Sequence, residues 1–178
     1  MAAIIAYFSR TDENYVSGVI KKLVVGNTEV AANFLQKLTN AETFKLQPVQ
    51  EYSKDYNECI AQAQADQRRD ARPELKCYPE SLDAYDTVYL GYPNYWGTMP
   101  MVVFTFLEHF DFTEKTIFPF CTHEGSGMGH SEADIKRLCP TADVKKGLAL
   151  RGGSIQYSEP EIKRWLEENE QRRMNDNE

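Results

Sequence analysis

Apolar residues in this chain fall into short unbroken runs, and the runs alternate with stretches of helical spacing. Ala3 to Phe8 is continuously apolar and bounded by polar residues, the pattern of a strand covered on both faces. Val30, Ala31, Phe34, Leu35 and Leu38 then recur at helical spacing and predict a first helix over about 28–39. Thr43 to Leu46 reads as a short second strand ended by Pro48, and Tyr56, Cys59, Ile60 and Ala63 mark a second helix with a polar outer face. Gln67 to Pro79 is charged and proline-containing and reads as an exposed connection. Thr87 to Gly91 is a third strand, and Met101 to Leu107 a helix with Thr98 as its expected N-cap and Pro100 in its first turn.

Thr116 to Thr122 reads as a fourth strand, with Pro119 awkward inside it because proline donates nothing to a ladder. Ser131 and Asp134 open a short helix with Ile135 and Leu138, and Val144 to Leu150 contains a fifth strand. Ser158 to Glu161 has capping-box spacing ahead of Ile162, Trp165 and Leu166, and the polar tail over 170–178 is expected to fray. The alternation predicts a single α/β domain over 1–178, with helices on both faces of a doubly wound five-stranded parallel sheet of order 2-1-3-4-5. In such a sheet ligands bind at the carboxyl ends of the strands, around the switch point between the first and third.

Three unusual loops are expected to meet at that edge. The first carries Ser9, Arg10 and Thr11 and, farther on, Gly26, Asn27 and Thr28. Hydroxyls around the backbone N–H groups of a helix start form an anion cradle; the plainer alternative is that they only satisfy turn and helix-start amides. The second, Pro93-Asn94-Tyr95-Trp96-Gly97-Thr98-Met99-Pro100, places two aromatics among turn residues, where they suit a flat heterocycle unless Trp96 packs beneath the next helix. The third, Thr122-His123-Glu124-Gly125-Ser126-Gly127, has glycines that let main-chain N–H groups approach the polar edge of a ring. His123 has no partner visible in the sequence and reads as a polar loop residue rather than a proton donor.

Composition narrows the chemistry. The 178 residues suit one domain, and the formal charge of −7 argues against nonspecific nucleic-acid binding. Cys59, Cys77, Cys121 and Cys139 form no C-x-x-C pair and are expected to be reduced, buried small hydrophobes. The apolar start lacks a basic flank and is too short for a signal peptide or a membrane span, so a cytoplasmic, membrane-free protein is expected. A C-x5-R phosphatase loop fails because Gly127 stands where Cys121 would need arginine, and a G-x-S-x-G elbow fails around Ser126. A dinucleotide fingerprint fails at His130, and a receiver site fails at Ser9, Arg10 and Tyr92.

The segments Tyr7 to Thr11, Gly26 to Thr28, Gly91 to Pro100 and Phe120 to Gly127 together resemble the phosphate loop and the two ring-flanking loops of the flavodoxin-like family, the short-chain kind. That family is the standard example of the 2-1-3-4-5 order with FMN at its switch point. The resemblance implies noncovalent FMN, its phosphate at Ser9, Arg10, Thr11, Asn27 and Thr28. Its ring would lie among Pro93, Asn94, Tyr95, Trp96 and Gly97, with Thr122, His123, Glu124, Gly125, Ser126 and Gly127 along the other side. It implies a redox protein that passes electrons to a partner protein or a small-molecule acceptor. The alternatives are an FMN-dependent NAD(P)H:quinone-type reductase and a flavin-free binding module on the same scaffold. One departure stands out: the fourteen residues Asp12 to Val25 separate the halves of the phosphate loop, and Asn14 and Tyr15 within them are positioned to touch a ligand or partner.

Overall fold

A computed structural model describes residues 2–175. The elements in chain order are β1 (Ala3–Tyr7), β2 (Asp12–Val16), β3 (Val19–Leu23), α1 (Asn27–Thr39), β4 (Glu42–Lys45), α2 (Tyr56–Arg68) and β5 (Thr87–Pro93). They continue with α3 (Met101–His109), β6 (Thr116–His123), α4 (Ser131–Leu138), β7 (Asp143–Val144), β8 (Leu148–Arg151), a 3-10 segment (Gly152–Tyr157) and α5 (Glu159–Asn175). The main sheet is parallel, in the order β4-β1-β5-β6, and β7 and β8 share the outer position beyond β6. This is the expected α/β architecture, with its fifth position split between two short strands.

Strand periodicity explains the two cores. Ile4, Ala6 and Phe8 of β1 and its extension join Val88, Leu90, Val103, Phe106 and Ile135 on one face of the sheet. Ile5 and Tyr7 point the other way, into Ala31, Ala32, Leu35, Phe118, Phe120, Ile162 and Trp165. α3 and α4 therefore cover the first face, and α1 and α5 the second. Alanines at 31 and 32, both fully buried, let α1 lie close against the sheet.

The split strand resolves the difficulty of Pro119. Ile117 accepts from Lys145 N–H (2.9 Å) on the outer side of β6, and residues alternate, so the nitrogen of Pro119 also faces outward. It lies opposite the break, where Gly147 approaches the Pro119 ring and carbonyl. The broken segment's own polar groups are satisfied by side chains: Gly147 N–H donates to Glu132 (3.0 Å), and the Trp165 indole N–H donates to Lys146 O (3.2 Å).

Several expectations are corrected. Asp12 to Val25, read as part of a long loop, contains the antiparallel β2–β3 hairpin, turned by Ser17 (φ 51°) and Gly18 (φ 87°) in the left-handed conformation that two-residue hairpin turns favour. Thr98 does not cap α3; its hydroxyl donates to Asp134 (2.5 Å), and Pro100 occupies the cap position. Ser158 donates to the carbonyl of Ile155 (2.6 Å). The connection over 67–79 is not wholly exposed, because buried Leu75 bridges Pro48. All four cysteines are free, but Cys77 is exposed. α5 runs past Glu170 to Asn175, and 176–178 lie outside the described residues. No helix among the described residues is long and apolar enough to cross a membrane.

Gly91 pairs with Phe120 across β5 and β6, and a β-carbon at 91 would enter the Phe120 ring. Gly91→Ala is expected to destabilise the fold by about 1–3 kcal/mol, the usual cost of overpacking a core. Urea unfolding checks this, and an unchanged midpoint would mean that the Phe120 ring has room to swing aside.

Candidate functional site

The parallel strands place their carboxyl ends at one edge, where a cleft of about 450 Å³ opens. Its floor is made where α1 begins beside the end of β6. There Thr28 and Thr122 are buried and their hydroxyls share a hydrogen bond of 2.7 Å. The N–H groups of Asn27 and Thr28, at the first turn of α1, have no partner among the described residues, the usual state of a helix start and a source of partial positive charge.

Arg10, Asn27, Thr28, Pro93, Asn94, Tyr95, Trp96, Gly97, Thr122, His123, Glu124 and Ser126 all line the cleft. Four expected residues do not. Ser9 stands behind the wall, where its hydroxyl accepts from Glu29 N–H (3.0 Å) and so caps α1 from outside the helix. Gly26 must be glycine for that contact, since a β-carbon there would collide with the Ser9 hydroxyl and the Arg10 carbonyl. Thr11 donates to Asp12 (3.1 Å) and faces a separate small pocket. Gly125 and Gly127 shape their loop: Gly125 N–H donates to His123 Nδ1 (2.8 Å), and Gly127 O accepts from Asn94 Nδ2 (2.9 Å).

The aromatic loop is a tight turn. Tyr95 and Thr98 exchange backbone hydrogen bonds (2.8 and 3.3 Å), with Trp96 (φ 54°) and Gly97 (φ 86°) both left-handed between them. Left-handed geometry is costly for a tryptophan, and three contacts hold it. Asn94 Oδ1 accepts from Gly97 N–H (2.9 Å), Gln67 Nε2 donates to Trp96 O (3.2 Å), and the indole N–H donates to Ile60 O (2.9 Å). The indole is thereby laid along α2 with 46% of the residue exposed, at the rim of the cleft and not beneath α3. Tyr95 turns inward and makes edge contacts with Phe8 and Tyr52 at 5.9 and 6.0 Å.

Three electrostatic features mark the walls. Arg10 Nε and Nη2 donate to the carbonyls of Glu13 (3.0 Å) and Lys54 (3.1 Å), so its guanidinium is fixed beside the cleft by main-chain oxygens. Burial pushes the Tyr95 phenol well above its usual range, with the Cys59 thiol adding to the rise. His123 is held below the ordinary histidine value, first by burial and then by Arg151, which keeps its ring neutral and able to accept from Gly125. Two buried side-chain oxygens in the described residues have no nitrogen or oxygen partner, Tyr95 Oη, which lies beside the Cys59 thiol, and Glu124 Oε1, and both residues line this one cleft.

α2 and the hairpin complete the cavity. Tyr56, Cys59, Ile60 and Ala63 form one wall, and Asn14 and Tyr15 lean over it, Tyr15 stacking on Tyr56 at 6.2 Å. The α2 residues were visible in the sequence as a stripe at helical spacing, but a stripe facing a cleft has the same period as one facing a core. The described residues contain no cluster of side chains able to hold a metal ion.

Comparison with known proteins accords with this geometry. A family model described as Flavodoxin matches residues 4–169. Among solved structures, a candidate flavoprotein from Bacteroides eggerthii is 28% identical, with a TM-score of 0.76 over 93% of this chain and 96% of that one. A second, from Bacteroides uniformis, is 27% identical, with a TM-score of 0.72 over 91% and 97%. A flavoprotein from Lactobacillus acidophilus, solved in complex with FMN, is 17% identical and shares the fold, with a TM-score of 0.63 over 93% and 98%. Among curated proteins there is no match. With the matched segment running from the first strand into the last helix, the chain belongs to the flavodoxin family.

Proposed function

We propose that the cleft binds FMN noncovalently and that the protein transfers electrons through it to a partner protein or a small-molecule acceptor. The observation that carries this reading is the buried, unpartnered Glu124 oxygen on a cleft that also holds a helix start and an aromatic rim. A buried polar atom without a partner is costly, and a ligand rich in both donors and acceptors removes that cost. The Bacteroides relatives described as candidate flavoproteins, and the FMN complex with the same fold, support a flavin as that ligand.

The residues present fit the group. The first turn of α1, with Asn27, Thr28 and the fixed Arg10 guanidinium, would hold the phosphate. Ser9 serves by fixing that turn from behind. Trp96 and Tyr95 would flank the ring, and the loop of Thr122, His123 and Ser126 would meet its polar edge. When bound, the flavin supplies the redox chemistry, and the protein supplies position and electrostatics. The Trp96 rim leaves one side of the cleft open to solvent, which suits exchange of electrons with an outside partner.

Protein purified with its flavin, or reconstituted with FMN, is expected to be yellow, and absence of FMN uptake would overturn the reading. Trp96→Ala should weaken FMN by about 1–3 kcal/mol, the range for stacking on an aromatic side chain, as measured by quenching of flavin fluorescence. An unchanged dissociation constant would remove Trp96 from the ring contact.

FMN affinity should also depend on His123. Its folded pKa lies below the ordinary 6.5, so the neutral acceptor form is full at pH 7 to 8 and is lost as pH falls through that lowered value. Protonation ends the bond from Gly125 N–H and releases the loop. Titration from pH 8 to pH 5 should show binding weaken at the acid end, and His123→Ala should flatten that part of the profile; an identical acid limb in the variant would assign it to another group.

A further inference from the structure

Glu124 is an unusual residue to find beside an anion-binding helix start. Its side chain is 14% exposed, and Oε1 is buried without a partner. Arg151 neutralises it only loosely: Arg151 Nε stands 3.8 Å from the other oxygen, Oε2, and Arg151 is itself 62% exposed. Arg151 Nη2 reaches the Glu124 main-chain carbonyl at 3.4 Å, leaving the buried carboxylate oxygen untouched.

Space for this carboxylate is built into the backbone. A β-carbon at Gly152 would stand 2.7 Å from Glu124 Oε1 and would collide with the side-chain Nδ2 of Asn27. A β-carbon at Gly153 would collide with the Ser17 hydroxyl in the hairpin turn and lie 3.6 Å from Glu124 Oε2. Two consecutive glycines thus leave room for the acid between the start of α1, the hairpin tip and the end of β8.

A carboxylate repels a dianionic phosphate, which has no proton to donate to it. It is the right group for neutral O–H donors, since a hydrogen bond to an ionised acceptor is stronger than one between neutral groups. The floor beside it, the Thr28–Thr122 pair, is also made of hydroxyls. We propose that Glu124 is the residue that recognises the polyol chain of the ligand, with Oε1 accepting a hydrogen bond from a ribityl hydroxyl between the phosphate and the ring. This rests on the flavin reading of the cleft and adds a specificity determinant to it: the site selects a flavin that carries its sugar alcohol over the bare ring.

Titration of three flavins by fluorescence quenching tests it: FMN, riboflavin (polyol without phosphate) and lumiflavin (a methyl group in place of the polyol). Wild-type protein is compared with Glu124→Ala and Glu124→Gln, with thermal unfolding recorded for each. Glu124→Ala should weaken FMN and riboflavin alike by about tenfold or more, the worth of a hydrogen bond to a charged group, and leave lumiflavin within about twofold. Glu124→Gln, whose amide oxygen still accepts, should lose less than Glu124→Ala. An equal loss for all three ligands would overturn the assignment, because Glu124 would then only support the ring loop. Tighter FMN with unchanged riboflavin would also overturn it, since the carboxylate would then merely oppose the phosphate. Wild-type protein that binds none of the three would overturn the flavin reading and this assignment together; wild-type binding with the wrong pattern in the variants overturns the assignment alone.

Discussion

The parallel ladder between β4, β1, β5 and β6 does not stop where the strands do. Leu46 N–H donates to Tyr7 O (2.7 Å), Phe8 N–H to Gly91 O (3.0 Å), and Asn94 N–H to Thr122 O (2.9 Å), so the first residues of the loops are still tied to the neighbouring strand. Because each pair is parallel, every such extension falls at the same edge. Residues distant in order, such as Arg10, Asn94 and Thr122, are thereby held within one cleft without any loop having to fold independently. The Thr28–Thr122 hydrogen bond adds the helix start to the same frame.

That frame divides the cleft by chemistry. The α2 side is aromatic and apolar, with Tyr15, Tyr56, Ile60 and Trp96, and the α1 side carries hydroxyls, an amide and a carboxylate. The division follows from which elements meet there. α2 presents a largely apolar helical stripe there, whereas the ends of β6 and β8 and the start of α1 bring main-chain polar groups that require polar company. A ligand with one flat apolar end and one hydroxylated, anionic end matches both halves.

Much of this was legible in the sequence because the apolar runs of parallel strands are unambiguous: Ala3 to Phe8 and Thr87 to Gly91 lie in the centre of the sheet, and the loops that follow them border the cleft. Less legible were features decided by tertiary context. Ser9 and Thr11 share a loop with Arg10, yet only Arg10 reaches the cleft, since side-chain direction in an irregular loop has no period to read. Thr98 has the residue type and position of an N-cap but finds a stronger acceptor in Asp134, thirty-six positions away in the chain. Pro119 is tolerated because its nitrogen faces a break in the neighbouring strand, which no local sequence pattern marks. The β2–β3 hairpin was hidden because its residues do not alternate cleanly between core and solvent: β3 is exposed at every position but its last.

That exposure has a consequence for how the molecule coexists with its own copies. Among the described residues β3 pairs with β2 alone, and so presents a row of main-chain donors and acceptors along its outer side, with Val19 and Ile20 beside them. Such an edge is a template for another chain. Two successive lysines, Lys21 and Lys22, sit in the middle of it, so any strand laid alongside would have to strip water from two ammonium groups. The hairpin can therefore lean over the cleft with apolar residues facing solvent while its edge discourages the stacking of strands that begins aggregation.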